Sequence, residues 1–245
     1  MHDRTYTVQV KRLFLLLFLS ANAGIWAADQ SSPATLRWAE GAPNCTIQAA
    51  DDGHTNYGLS SSDFEITLSV DRQELEKSPH RVIPMLGVLL AFRYKGSAQF
   101  EVQQNRFTLE FLKHFQVVQS SLDPDDILHR LQQNVDDLTD EVTRHQIRKH
   151  PDQKQQKEGE LQTRLKDYTE MMDFISTRAL RPTVLDPSNP SLSGWVFFST
   201  RNKWIGGWRR PEQFVLRLPI QNLTVEFPFE LPPKQRNIQL RRREP

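Results

Sequence analysis

Between Asp63 and Pro228 the spacing of apolar residues changes twice, and each change restricts what the chain can build. In DFEITLSV, Phe64, Ile66, Leu68 and Val70 alternate with Glu65, Thr67 and Ser69. That period of two predicts a strand with one buried face. Val88, Leu90 and Phe92 continue the rhythm, as do Phe107, Leu109 and Phe111. From Asp123 the spacing becomes three and four, first at Ile127, Leu131, Val135, Leu138 and Val142, then from Leu161 through Leu165, Tyr168, Met172 and Ile175 to Ala179. This is a helical period. Asp123 stands as N-cap, Pro124 at the first helical position, and acids fill the first turn, where they complement the helix dipole. Pro151, in KHPDQ, interrupts the helix. Past Arg181 the period of two returns, with Trp195, Phe197 and Ser199 on one side of a strand and Val196, Phe198 and Thr200 on the other. Phe214, Leu216 and Leu218 share a face of the strand that follows.

The expected fold is therefore mainly β with an α insertion: an antiparallel β-sandwich interrupted between strands by a long helical hairpin. The hairpin spans about 124–180, its stripes zipped as in an antiparallel coiled coil. Each stripe is one residue wide per turn, so the hairpin should project and stay mostly solvated. Gly159 costs the second helix about 1 kcal/mol relative to alanine.

The organisation that follows is a signal peptide over 1–27, an N-terminal extension with short strands over 28–62, and the first part of the sandwich over 63–122. The hairpin takes 123–180, the second part of the sandwich 181–230, and a basic flexible tail 231–245. Within the extension, TLRWAE and NCTIQA read as strands, whereas Gly53, Gly58 and the serine run read as loop.

At the N-terminus Arg4, Lys11 and Arg12 precede LFLLLFL, and small residues follow in SANAGIWAAD. This is the pattern of a Sec-type signal peptide, cleaved after Ala23 or Ala27. The apolar run falls short of the roughly 18–20 residues that a membrane span needs, which favours cleavage over an anchor. A secreted or periplasmic location is expected. Cys45 is the only cysteine, so an internal disulfide is excluded and a buried thiol is expected. Asn44–Thr46 and Asn222–Thr224 match the glycosylation pattern, which matters only in a eukaryotic host.

Catalytic and metal signatures are missing. None of the seven histidines forms an H-x-x-x-H or H-E-x-x-H pair. DPDD lacks the glycine and distal glutamate of a calcium loop. There is no G-x-S-x-G and no glycine-rich phosphate loop. No enzymatic activity, metal or cofactor is expected. A net charge of +1, and 13 acids against 9 Lys plus Arg from Asp123 to Leu180, argue against nucleic acid. Membrane contact is expected at most through the basic tail.

Two surfaces remain. RNKWIGGWRR supplies Lys203, Trp204, Trp208, Arg209 and Arg210, a candidate loop for a glycan or an anionic envelope polymer. Its competing reading is a cap on the end of the sandwich, with arginines stacked on the indoles. Trp195, on an alternating strand, is assigned to core packing. The second surface is the hairpin, where Leu131, Val135, Leu138, Leu165, Tyr168 and Met172 suit helix-to-helix docking of a protein partner.

The segments NRFTLEF, LRPTVLDPSNPSLSGWVFF and EQFVLRLPI together resemble the immunoglobulin-like domains of uncharacterised secreted bacterial proteins. Pro187, Gly194, Val196, Phe198, Phe214 and Leu216 stand at the matching places, and the likeness covers Asp63 to Leu122 and Arg181 to Pro228. It implies an immunoglobulin-like sandwich in an extracytoplasmic setting and no shared catalytic residues. The helical hairpin departs from the pattern. The leading expectation is a secreted, non-catalytic module that contacts a protein partner in the bacterial envelope; the alternative is glycan or anionic-polymer binding through the Trp204/Trp208 loop.

Overall fold

The computed structural model describes residues 34–96, 99–113, 117–201 and 211–233. The signal-peptide and Trp204/Trp208-loop expectations fall outside these residues, as does the basic-tail expectation from residue 234 onward; Leu231 instead ends the last strand. No described helix is long and apolar enough to cross a membrane. In chain order the elements are β1 (Ala34–Arg37), β2 (Cys45–Ala49), β3 (His54–Ser60), β4 (Phe64–Asp71), the short helix α1 (Glu74–Lys77), β5 (Met85–Tyr94), β6 (Phe100–Val102), β7 (Thr108–Phe111) and β8 (Val117–Ser120). Then come α2 (Pro124–Asp140), a π-helical segment (Glu141–Gln146), α3 (Ile147–Lys149), α4 (Lys154–Arg178), β9 (Thr183–Leu185), β10 (Ser191–Ser199), β11 (Glu212–Ile220) and β12 (Leu223–Leu231).

The chain is mainly β. One five-stranded sheet runs β1-β12-β11-β7-β8 and another β10-β5-β4-β3-β2, while β6 pairs with β9. Every pairing is antiparallel except β1 with β12. Ile66, Leu68, Val88, Leu90, Val196 and Phe198 of the second sheet share one buried cluster with Leu109, Phe111, Phe214, Leu216, Val225 and Phe227 of the first. Two sheets closing on one core are compatible with a β-sandwich. Alternation sets the faces, since the intervening residues of each strand point outward.

Residues 34–60 form three strands of these sheets, and β3 replaces the loop expected around Gly58. Thr55, Tyr57 and Leu59 point into the core while Asn56 and Gly58 face out. Asn and Gly disfavour strands, which hides the alternation. The Thr46 hydroxyl on β2 packs over Gly58, where a Cβ would lie 2.3 Å from Thr46 Oγ1 unless that side chain turned away. The last strand is also longer than the expected half-strand. Its Pro228 lies past the stretch of β12 that pairs with β1, and Pro219 past the stretch of β11 that pairs with β7. At both positions the missing N–H has no ladder partner to lose.

Tyr57 sits beneath Trp38, their rings edge to face at 5.1 Å. Burial pushes its phenol from 10 up to about 12, with Glu230 and Glu40 adding to the shift. The folded chain keeps the phenol neutral where the unfolded chain ionises it. The stability this contributes is complete below pH 10 and is lost as pH rises toward about 12. Urea midpoints of wild type and Tyr57→Phe across that range check the point. The wild type should lose more stability than the variant, and equal losses contradict the assignment.

Candidate interaction surface

The outer face of β10 is where the helices attach. Leu122, just before α2, donates its N–H to Phe197 O at 2.7 Å, and Leu180, just after α4, donates to Trp195 O at 2.8 Å. Ala179 and Ser121 also bridge to Trp195 and Phe198. Both feet of the helix pair therefore occupy the free edge of β10, which would otherwise present unpaired backbone groups. α4 starts and ends without side-chain caps, whereas Asp123 caps α2, its side chain accepting the Asp125 N–H at 2.8 Å.

Above this edge lies a second apolar cluster. Phe197 and Met85 from the sheet, with Ile83, meet Ile127, Leu131 and Ile175 from the helices, all buried. Phe174 of α4 packs on Trp195 at 5.7 Å and on Phe197 at 6.3 Å. Trp195 packs in a core, as its alternating strand suggested, but in this second cluster beneath the helices rather than between the sheets. Val196 and Phe198 enter the space between the sheets, and Trp195 with Phe197 faces the helices. WVFF puts aromatic or branched residues on both faces, so its pattern alone cannot tell the two clusters apart.

The hairpin-stripe candidates lie mostly inside the helix pair. Leu131 is fully buried in the second cluster, and Tyr168 and Met172 pack against it. Val135, Leu138 and Leu165 are half-buried. Farther along, Val142 and Leu161 are buried without joining a sheet-side cluster. The opposite flank, including Arg130, Asp137, Lys166 and Asp167, is exposed. His145 and His150 are exposed too. The π-helical segment Glu141–Gln146 has a packing cause. The apolar step from Val142 to Ile147 is five, and one i→i+5 turn keeps Ile147 half-buried on the stripe.

Beside the start of β5 is a buried ion pair with no local sequence signal. Glu74 is fully buried, and both guanidinium Nη atoms of Arg81 donate to its carboxylate, Nη2 to Oε2 at 2.8 Å. Glu74 Oε1 also accepts the N–H of Gly87 on β5. The β4–β5 pairing runs from Phe64 to Ser69, so the carboxylate serves the ladder beyond the point where β4 leaves it. Burial raises the Glu74 carboxyl, outweighing the opposing pull of Arg81 and the Gly87 N–H. Arg81 also donates to Met85 O, tying the pair to the start of β5.

Nearby, His54 packs edge-on to Trp195 at 6.3 Å, with Nδ1 3.1 Å from Asp52 Oδ1. Asp71, paired across the ladder with His54, binds Lys77. Burial opposes ionisation of Asp71, but Lys77 and the Gln73 N–H together hold its carboxyl below the usual range. Cys45 is half-buried and packs against the main core. Lys203, Trp204, Trp208, Arg209 and Arg210 lie outside the described residues. Comparison with family models, with curated proteins and with solved structures finds no match for this chain.

Proposed function

We propose that the chain is a secreted, non-catalytic immunoglobulin-like module whose helical hairpin, inserted between β8 and β9, contacts a protein partner in the bacterial envelope. The observation that carries this reading is the division of the helix pair into a fixed base and a polar arm. The base is held by two backbone contacts to β10 and by the cluster around Phe197. Past Leu131 about 18 further residues reach Lys149, a length of about 27 Å at 1.5 Å per residue. Along that length the apolar stripe turns inward, so the arm needs no partner to cover it. What it offers outward is a charged flank on a rigid support, suited to a reversible polar interface.

The partner then meets the flank carrying Arg130, Asp137, Lys166 and Asp167, while Val135, Leu138 and Leu165 hold the two helices together. Shortening the arm tests this. Replacing residues 136–167 by a short glycine–serine turn keeps the base, so the thermal melt of the two-sheet body should persist. Capture of a partner from periplasmic extract should be lost, and undiminished capture by the shortened chain overturns the proposal.

A further inference from the structure

The feet of the helices close one edge of the sheet that carries them, and β2 forms its other edge. Beside the β2–β3 ladder Ser60 donates its N–H to Asn44 O, and Ala50 donates to His54 O. Antiparallel alternation then turns the backbone groups of Thr46 and Gln48 toward β3, and those of Cys45, Ile47 and Ala49 away from it. The Cys45 N–H is taken by Ala42 O. The N–H and C=O of Ile47 and of Ala49, and the Cys45 C=O, make no hydrogen bond to a described residue.

This edge also lacks the devices that protect a strand from pairing. CTIQA contains no charge and no proline. The other edges of the two large sheets are shorter, charged or covered. β1 has four residues, follows Pro33 and ends on the exposed Arg37. β8 also has four, and Ser121 just after it bridges to Phe198 of β10. A row of outward N–H and C=O groups is met in full only by another extended strand, and the chain carries one that fits.

We propose that two copies of this chain associate through β2, antiparallel about a two-fold axis at Ile47, joining two five-stranded sheets into one. In that register each Ile47 N–H donates to the O of the partner's Ile47, and each Ala49 N–H to the O of the partner's Cys45. The Cys45 N–H, which would find no use there, keeps its bond to Ala42 O. Gln48 stands opposite the partner's Thr46, and Asp51 and Asp52 opposite the partner's Pro43 and Ala42, so no like charges meet. Cys45 and Ile47, half-buried against the core of the single chain, gain cover from the partner's Ala49 and Ile47. Because the same strand serves both copies, the contact closes at a dimer and does not propagate.

Sedimentation of the full chain at rising concentration tests the proposal and should show a monomer passing to a dimer and no further. Ala49→Pro removes a donor that faces away from β3, where an edge strand tolerates proline. It should weaken the dimer at least about tenfold, through two lost hydrogen bonds. Ala49→Cys tests the register. Four residues along the strand, the new thiol lies about 13 Å from Cys45 of its own chain, too far to bridge. It lies about 5.5 Å, Cα to Cα, from the partner's Cys45, within disulfide reach. Mild oxidation should therefore link Ala49→Cys chains into dimers, while Gln48→Cys, whose side chain points to the other face, stays unlinked. A chain that is monomeric at every concentration overturns the proposal, as does a dimer that a folded Ala49→Pro leaves unchanged. Equal cross-linking of Ala49→Cys and Gln48→Cys overturns it too, and this comparison decides the matter where Ala49→Pro fails to fold.

Discussion

Glu74→Ala is expected to destabilise the two-sheet body by about 3–5 kcal/mol, the range for removing one member of a buried ion pair. The truncation leaves Arg81 without its carboxylate and the Gly87 N–H on β5 without its acceptor. Glu74→Gln should lose less, because an amide oxygen still accepts from Gly87 while only the charge goes. Replacing both partners by leucine should recover much of the loss, since an apolar pair of similar volume removes the stranded charge. Urea unfolding of the four proteins measures this. A Glu74→Ala chain within 1 kcal/mol of wild type, on the scale of an exposed ion pair, would contradict the assigned role.

Gly194→Ala is expected to cost about 3 kcal/mol, at the upper end for forcing extra volume into a packed site. A Cβ at Gly194 would lie 2.6 Å from Leu180 Cα and 2.7 Å from Leu180 N, so backbone rather than a mobile side chain must move. The contact that gives way is the foot of α4 on β10, including the hydrogen bond from Leu180 N to Trp195 O at 2.8 Å. Hydrogen exchange at the Leu180 amide should accelerate with the loss of stability, while amides deep in β4 keep pace with global unfolding. Wild-type protection at Leu180 would show that the edge tolerates the added methyl.

The elements readable from the sequence are those whose apolar period stands alone. β4, the middle of β5, β7 and α2 follow from spacing, and the Asp123–Pro124 start of α2 from capping chemistry. The five-residue step from Val142 to Ile147 was also present in the sequence and marks the π-helical turn. β3 was hidden because Asn56 and Gly58 occupy its outward positions and disfavour strand. Trp195 was ambiguous because both faces of β10 are buried near it, one by the opposite sheet and one by helices. Glu74, Arg81 and Gly87 meet only after β5 folds back past α1, a relation that no local spacing encodes.

The charged flank of the helix pair also clarifies what its apolar stripe does. Leu131, Tyr168 and Met172 pack in the cluster that joins the helices to the sheet, leaving the charged residues of the arm exposed. The most direct measurement of this division is partner capture by wild type and by the chain with residues 136–167 replaced, run side by side at matched thermal stability. A partner retained by the wild type and missing from the shortened chain is expected, and equal recovery of that partner by both chains would contradict a binding role for the arm.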